Sequence, residues 1–154
     1  MIIMIKMEVR SLQFNHVVVY RTRSTKENWQ KGIHFLEELE LERSIYKNGP
    51  VFFSFDQDTD KADFGEFTYY MPINTDIEIE KSTEIEYIDT FSLEQALVYR
   101  QADQELDFTT AIQKIRDYSK KEKIHIGDRY FCVLLPVYGD IIIDLYVPIG
   151  GEIA

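Results

Sequence analysis

Apolar and polar residues alternate from residue 7 to residue 21. Leu12, Phe14, His16, Val18 and Tyr20 fall on one side of an extended chain, and Gln13, Asn15, Val17 and Val19 on the other. Ser24 or Thr25 is placed to cap a helix. Over residues 26–43 the apolar period lengthens, with Trp29, Ile33, Leu36, Leu39 and Leu41 near helical spacing, so Trp29 is expected in the core. Asn48-Gly49-Pro50 is a turn signal, and Val51-Phe52-Phe53-Ser54-Phe55 predicts a strand. Residues 56–63 form a polar loop with Asp56, Asp58, Asp60 and Asp63, and a further strand is expected over residues 66–71.

The order then starts again. Residues 77–81 and 83–89 alternate Ile with acids and predict extended structure, followed by a strand over 91–100 and a helix over 106–121. Gly127 opens a strand at 130–135, and Tyr138-Gly139-Asp140 turns into a final strand over 141–149. Val18-Val19-Tyr20-Arg21 returns, 79 positions later, as Leu97-Val98-Tyr99-Arg100. Gly32-Ile33 returns as Ala111-Ile112 at the same shift. Tyr70-Met71-Pro72-Ile73 returns as Tyr146-Val147-Pro148-Ile149, shifted by 76. The expected fold class is α+β, with duplicated β-α-β-β units over about residues 7–73 and 77–149 of a single 1–154 domain. Pseudo-twofold symmetry, an antiparallel sheet with helices on one face and a central cleft follow from that duplication.

The final strand carries the chemistry. Ile142, Asp144 and Tyr146 share one face, while Ile141, Ile143, Leu145 and Val147 form an aliphatic face suited to packing on helices. In the first copy Thr68 and Tyr70 take the mixed face, and Phe67, Tyr69 and Met71 the core face. A carboxylate inside an apolar strand is costly without a partner. Two readings stay open for Asp144: the wall of an aromatic pocket for a cationic ligand, or an edge-strand residue that lies in water or pairs with a Lys or Arg. Tyr70 and Tyr146 are either ligand contacts or half-buried sheet residues.

Composition narrows the choice. The net charge of −10 disfavours nucleic acid and anionic membrane surfaces. Aromatics at 14% suffice both for a core and for a lined pocket. The single Cys132 excludes an internal disulfide framework and alternates with Phe131 and Val133 as strand filler. His16, His34 and His125 lack metal-ligand spacing, so no metal and no cofactor is expected. The Asp loop follows D-x-D-x-D in part, but Phe67 stands where a calcium loop needs Glu. The apolar start, Met1-Ile2-Ile3-Met4-Ile5, is too short for a signal core, and a cytoplasmic protein is expected.

The two β-α-β-β units, the second ending in Asp144-Leu145-Tyr146-Val147-Pro148-Ile149, resemble the GyrI-like, or AraC-type effector-binding, domains along essentially the whole chain. The resemblance implies a stand-alone bacterial small-molecule-binding domain linked to transcription regulation. It holds a hydrophobic or cationic ligand in the cleft, with no direct nucleic-acid binding. The family acid contacts the ligand, and Asp144 stands in its place where the family has Glu, one methylene longer. With the other residues of the two mixed strand faces, the expected ligand-binding set is Asp144, Tyr146, Tyr70, Thr68 and Ile142, with none catalytic. Two alternatives remain: a GyrI-like hydrolase using Asp144 as base, and an acidic module that docks a protein partner.

Overall fold

The computed structural model describes residues 7–60, 63–77, 84–101 and 108–150. In chain order these form β1 (Met7–Thr25), a 3-10 turn (Lys26–Asn28), α1 (Gln30–Arg43), β2 (Phe52–Gln57), β3 (Phe64–Pro72), β4 (Ile85–Gln101), α2 (Phe108–Lys121), β5 (Phe131–Val137) and β6 (Asp140–Pro148). The described strand pairs are antiparallel, so the fold is α+β, as the pattern predicts. The extended segment expected at 77–81 lies, beyond residue 77, outside the described residues, as does the expected start of the second helix at 106–107. The segments expected separately at 83–89 and 91–100 join into one strand of 17 residues, because no Gly or Pro interrupts them.

The chain divides into two compact units. The contiguous unit is Gln13–Ser92; the split unit joins Met1–Leu12 to Leu93–Ala154.

In the contiguous unit β3 lies between β1 and β2, with Val19 opposite Tyr70 on one side and Phe52 opposite Tyr70 on the other. One sheet face carries α1. Tyr69 is fully buried there, and its hydroxyl donates to the Trp29 carbonyl at 2.6 Å. Gly32 lets the helix ride on that ring, since a Cβ at this position would come within 2.1 Å of a Tyr69 ring carbon. Tyr20 stacks on Phe35 with centroids 4.1 Å apart, and Trp29 is buried as the spacing predicts.

Two local expectations fail in this unit. Leu41 is 81% exposed: it follows the buried Leu39 by two residues, about 200° around the helix, which carries it off the apolar stripe. The Thr25 hydroxyl caps no backbone N–H; it accepts instead from the Asn28 side-chain amide at 2.8 Å, because a 3-10 turn intervenes before α1.

In the split unit β6 lies between β4 and β5, with Leu97 and Leu145 on their respective strands both buried. The Lys114 Nζ of α2 sits 5.7 Å from the Tyr99 ring centre, which identifies the helix-bearing face. Register puts Leu97, Cys132, Ile143, Leu145 and Val147 on that face, all buried, as the aliphatic set of the final strand predicts. Ala111, Ile112 and Ile115 supply the buried stripe of α2. Val98, Arg100, Asp144 and Tyr146 therefore share the opposite face.

Candidate functional site

Asp144 is placed by ladder register. It stands opposite Arg100 on β4 and Val133 on β5. Its flanking strands bring apolar side chains, so the carboxylate is only 3% exposed. A charge so placed requires a partner. The Arg100 guanidinium supplies it in fork geometry: Nε donates to Oδ1 at 2.9 Å and an Nη to Oδ2 at 3.2 Å. The two partners differ sharply in environment, with side-chain exposures of 4% for Asp144 and 54% for Arg100. Asp144 is thus no edge residue in water: β6 is paired on both sides, the ion pair with an Arg is realised, and Asp144 also lines a hollow.

That hollow is a recess of about 230 Å³ bounded by Glu8, Arg10, Val98, Arg100 and Asp144, all within the split unit. Glu8 accepts a hydrogen bond from the Arg10 Nε at 2.7 Å. The wall thus holds two cations and two anions. Asp144 raises the Arg100 pKa above its ordinary value through the hydrogen bond first and its charge second, and the Glu8 charge adds to this. The Glu8 hydrogen bond and charge raise that of Arg10. Burial pushes the Tyr146 phenol above the usual tyrosine range, and the negative charge of Asp144 pushes it further, against the opposing pull of Arg10.

The other expected site residues lie as follows. Tyr146 is buried, between Val98 and Phe131 in register. Ile142 is half-buried, opposite Leu135. Thr68 and Tyr70 belong to the contiguous unit. Thr68 is buried opposite Arg21 and Ser54. Tyr70 is half-buried in an aromatic cluster, 4.7 Å from the Phe52 ring centre and 5.0 Å from that of Phe91. A second recess, of about 350 Å³, is bounded by Arg21, Thr22, Arg23, Glu66 and Glu84. There Arg21 donates to Glu86 at 2.6 Å, and Arg23 pairs with Asp58 of the Asp loop. Sequence reasoning missed Glu8, Arg10 and Arg100. The signal for Arg100 was present in the recurrence of Tyr-Arg at 20–21 and 99–100, whose arginines stand opposite Thr68 and Asp144 in their ladders.

Among the described residues no helix is long and apolar enough to cross a membrane. No family model matches the sequence, and no curated protein matches it by sequence. The architecture nonetheless is one found in solved structures. The EcmrR C-terminal domain superposes with a TM-score of 0.64 at 8% identity, covering 95% of this chain and 99% of that one. SAV2435 bound to tetraphenylphosphonium gives 0.54 at 9% identity, over 94% of this chain and 93% of its own. A hydrolase from Listeria innocua gives 0.54 at 8% identity, over 93% and 92%. At these identities the likeness is one of fold.

Proposed function

We propose that this chain is a GyrI-like small-molecule-binding domain, a cytoplasmic sensor or sequestering module that holds a hydrophobic, cationic ligand against Asp144. The observation that carries this reading is a carboxylate 3% exposed on the wall of a recess, whose protein partner is a half-exposed side chain. Structural proteins have little reason to keep such a group, because a buried ion pair is a poor source of stability. The resemblance of Asp144–Ile149 to the family's final strand supports the reading. So does the shared fold with a protein solved with a lipophilic cation bound.

The chain is also read as two copies of one β-α-β-β unit. Hydrogen bonds that recur at the shifts of 79 and 76 support this. Asn48 N–H donates to the Pro72 carbonyl as Gly127 N–H donates to that of Pro148. Ile73 N–H reaches the His16 carbonyl as Ile149 N–H reaches that of Gln95. Ser44, directly after α1, and Lys123, two residues past α2, both take positive φ, at 53° and 58°. In this alignment Arg21 corresponds to Arg100, and Thr68 to Asp144.

The test is calorimetric titration with tetraphenylphosphonium. The wild type binds, and Asp144→Asn weakens binding at least tenfold. Equal affinity in the two proteins would remove Asp144 from the site, and absence of binding in both would remove the function.

A further inference from the structure

We propose that Arg100 is a resident cation that occupies the ligand's place on Asp144 and must swing out before a cationic ligand can bind, so that it sets the threshold of the site. The inference rests on the binding function proposed above and specifies how that site is regulated.

The fork is complete. Both Asp144 oxygens already accept guanidinium N–H groups, so an incoming cation meets a carboxylate whose charge is already paired. The recess is also balanced, with Glu8 and Asp144 against Arg10 and Arg100. A permanent cation entering it with Arg100 in place would leave an excess positive charge in a partly desolvated hollow. Arg100 can leave and Asp144 cannot. The arginine side chain is 54% exposed on a long flexible stem, while the acid is fixed in the middle of β6, with β4 on one side and β5 on the other. Glu8, on the same wall, gives the displaced guanidinium a second acid to turn towards. A ligand therefore gains the contact with Asp144 only by competing with an intramolecular rival of high effective concentration. Weak cations are excluded, and strong lipophilic cations are admitted. In the contiguous unit the corresponding Arg21 faces Thr68 and turns instead to Glu86. The carboxylate–guanidinium fork across the ladder thus belongs to one copy of the pair.

The experiment compares wild type, Arg100→Gln and Arg100→Lys in the full chain, titrated with tetraphenylphosphonium and with the neutral triphenylphosphine oxide. Arg100→Gln is expected to bind the cation at least tenfold more tightly than wild type and the neutral compound within threefold. Arg100→Lys, which keeps the rival charge, stays within threefold for both. If the wild type binds the cation and Arg100→Gln binds it no better, the latch is wrong and the binding function stands. If both compounds gain equally in Arg100→Gln, the effect is space and not charge, and the latch is again wrong. If none of the three proteins binds the cation, the binding function itself fails. Should Arg100→Gln be too unstable to titrate at room temperature, its thermal midpoint is read with and without each compound. A larger rise with the cation than in wild type supports the latch, and an equal or smaller rise refutes it.

Discussion

Removing the charge from either half of the Arg100–Asp144 pair breaks the same fork, yet the two changes should differ in cost. Asp144→Asn leaves a guanidinium whose side chain is 54% exposed. It can keep one bond to the Asn carbonyl or turn to water, and the loss is about 1 kcal/mol, the usual net worth of a hydrogen bond. Arg100→Gln leaves a carboxylate whose side chain is 4% exposed, with one neutral amide where a cation stood. Stranding one member of a fully buried pair costs about 3–5 kcal/mol. The recess admits water and the departing arginine was half solvated, so roughly half of that, about 2 kcal/mol, is expected here after allowance for screening. The order is therefore Arg100→Gln worse than Asp144→Asn by about 1 kcal/mol. The double variant, with no charge left to strand, should lie close to Asp144→Asn. Urea unfolding at pH 7 followed by circular dichroism measures all four proteins. Equal losses for the two single variants, or a greater loss for Asp144→Asn, would refute the claim that solvent exposure is divided so unevenly across the pair.

Two further outcomes test the core and the electrostatics. Gly32→Ala removes a poor helix former, worth about 1 kcal/mol of gain on propensity alone. It drives a methyl into the buried Tyr69 ring at 2.1 Å, and overpacking of about 2–3 kcal/mol should leave a net loss of about 1–2 kcal/mol in urea unfolding; a net gain would show that helix and ring are not in contact. The Tyr146 phenol is raised above its unfolded value, by burial first and the Asp144 charge next. Its contribution to stability is therefore complete below about pH 10, where an unfolded tyrosine begins to ionise. It is lost as pH rises from there through the raised value of the folded phenol. Stability measured from pH 9 to 11.5 should accordingly fall more steeply in wild type than in Tyr146→Phe, and parallel curves would contradict the assigned burial.

Much of the strand order was legible because period and punctuation agree. The aliphatic run Ile143, Leu145 and Val147 could face only a helix, and the alternation that predicts this also sets Asp144 on the opposite face. Trp29 and Leu36 were legible for the same reason at helical period. Leu41 was misread because an apolar residue two positions past a stripe looks continuous with it in a sequence but not on a cylinder. Thr25 was misread because a cap is decided by the backbone turn that follows it. The partner of Asp144 was hidden for another reason. Arg100 lies 44 residues away, and pairing across a ladder depends on which strands become neighbours, a property that no local window contains. Glu8 and Arg10 were further out of reach, since they belong to the opening of β1 while the rest of that strand serves the contiguous unit.

That division of β1 has a consequence for how the protein comes into being. Residues 13–92 form an uninterrupted piece, and during synthesis they can settle as soon as they clear the ribosome, before the remainder of the chain has emerged. The other unit must wait for β6 to emerge and then recover a segment made before the contiguous unit, closing a loop of some eighty residues. The unit that holds the buried acid is thus finished after its neighbour, and Glu8 and Arg10 wait for Arg100 and Asp144 through the whole synthesis of the contiguous piece.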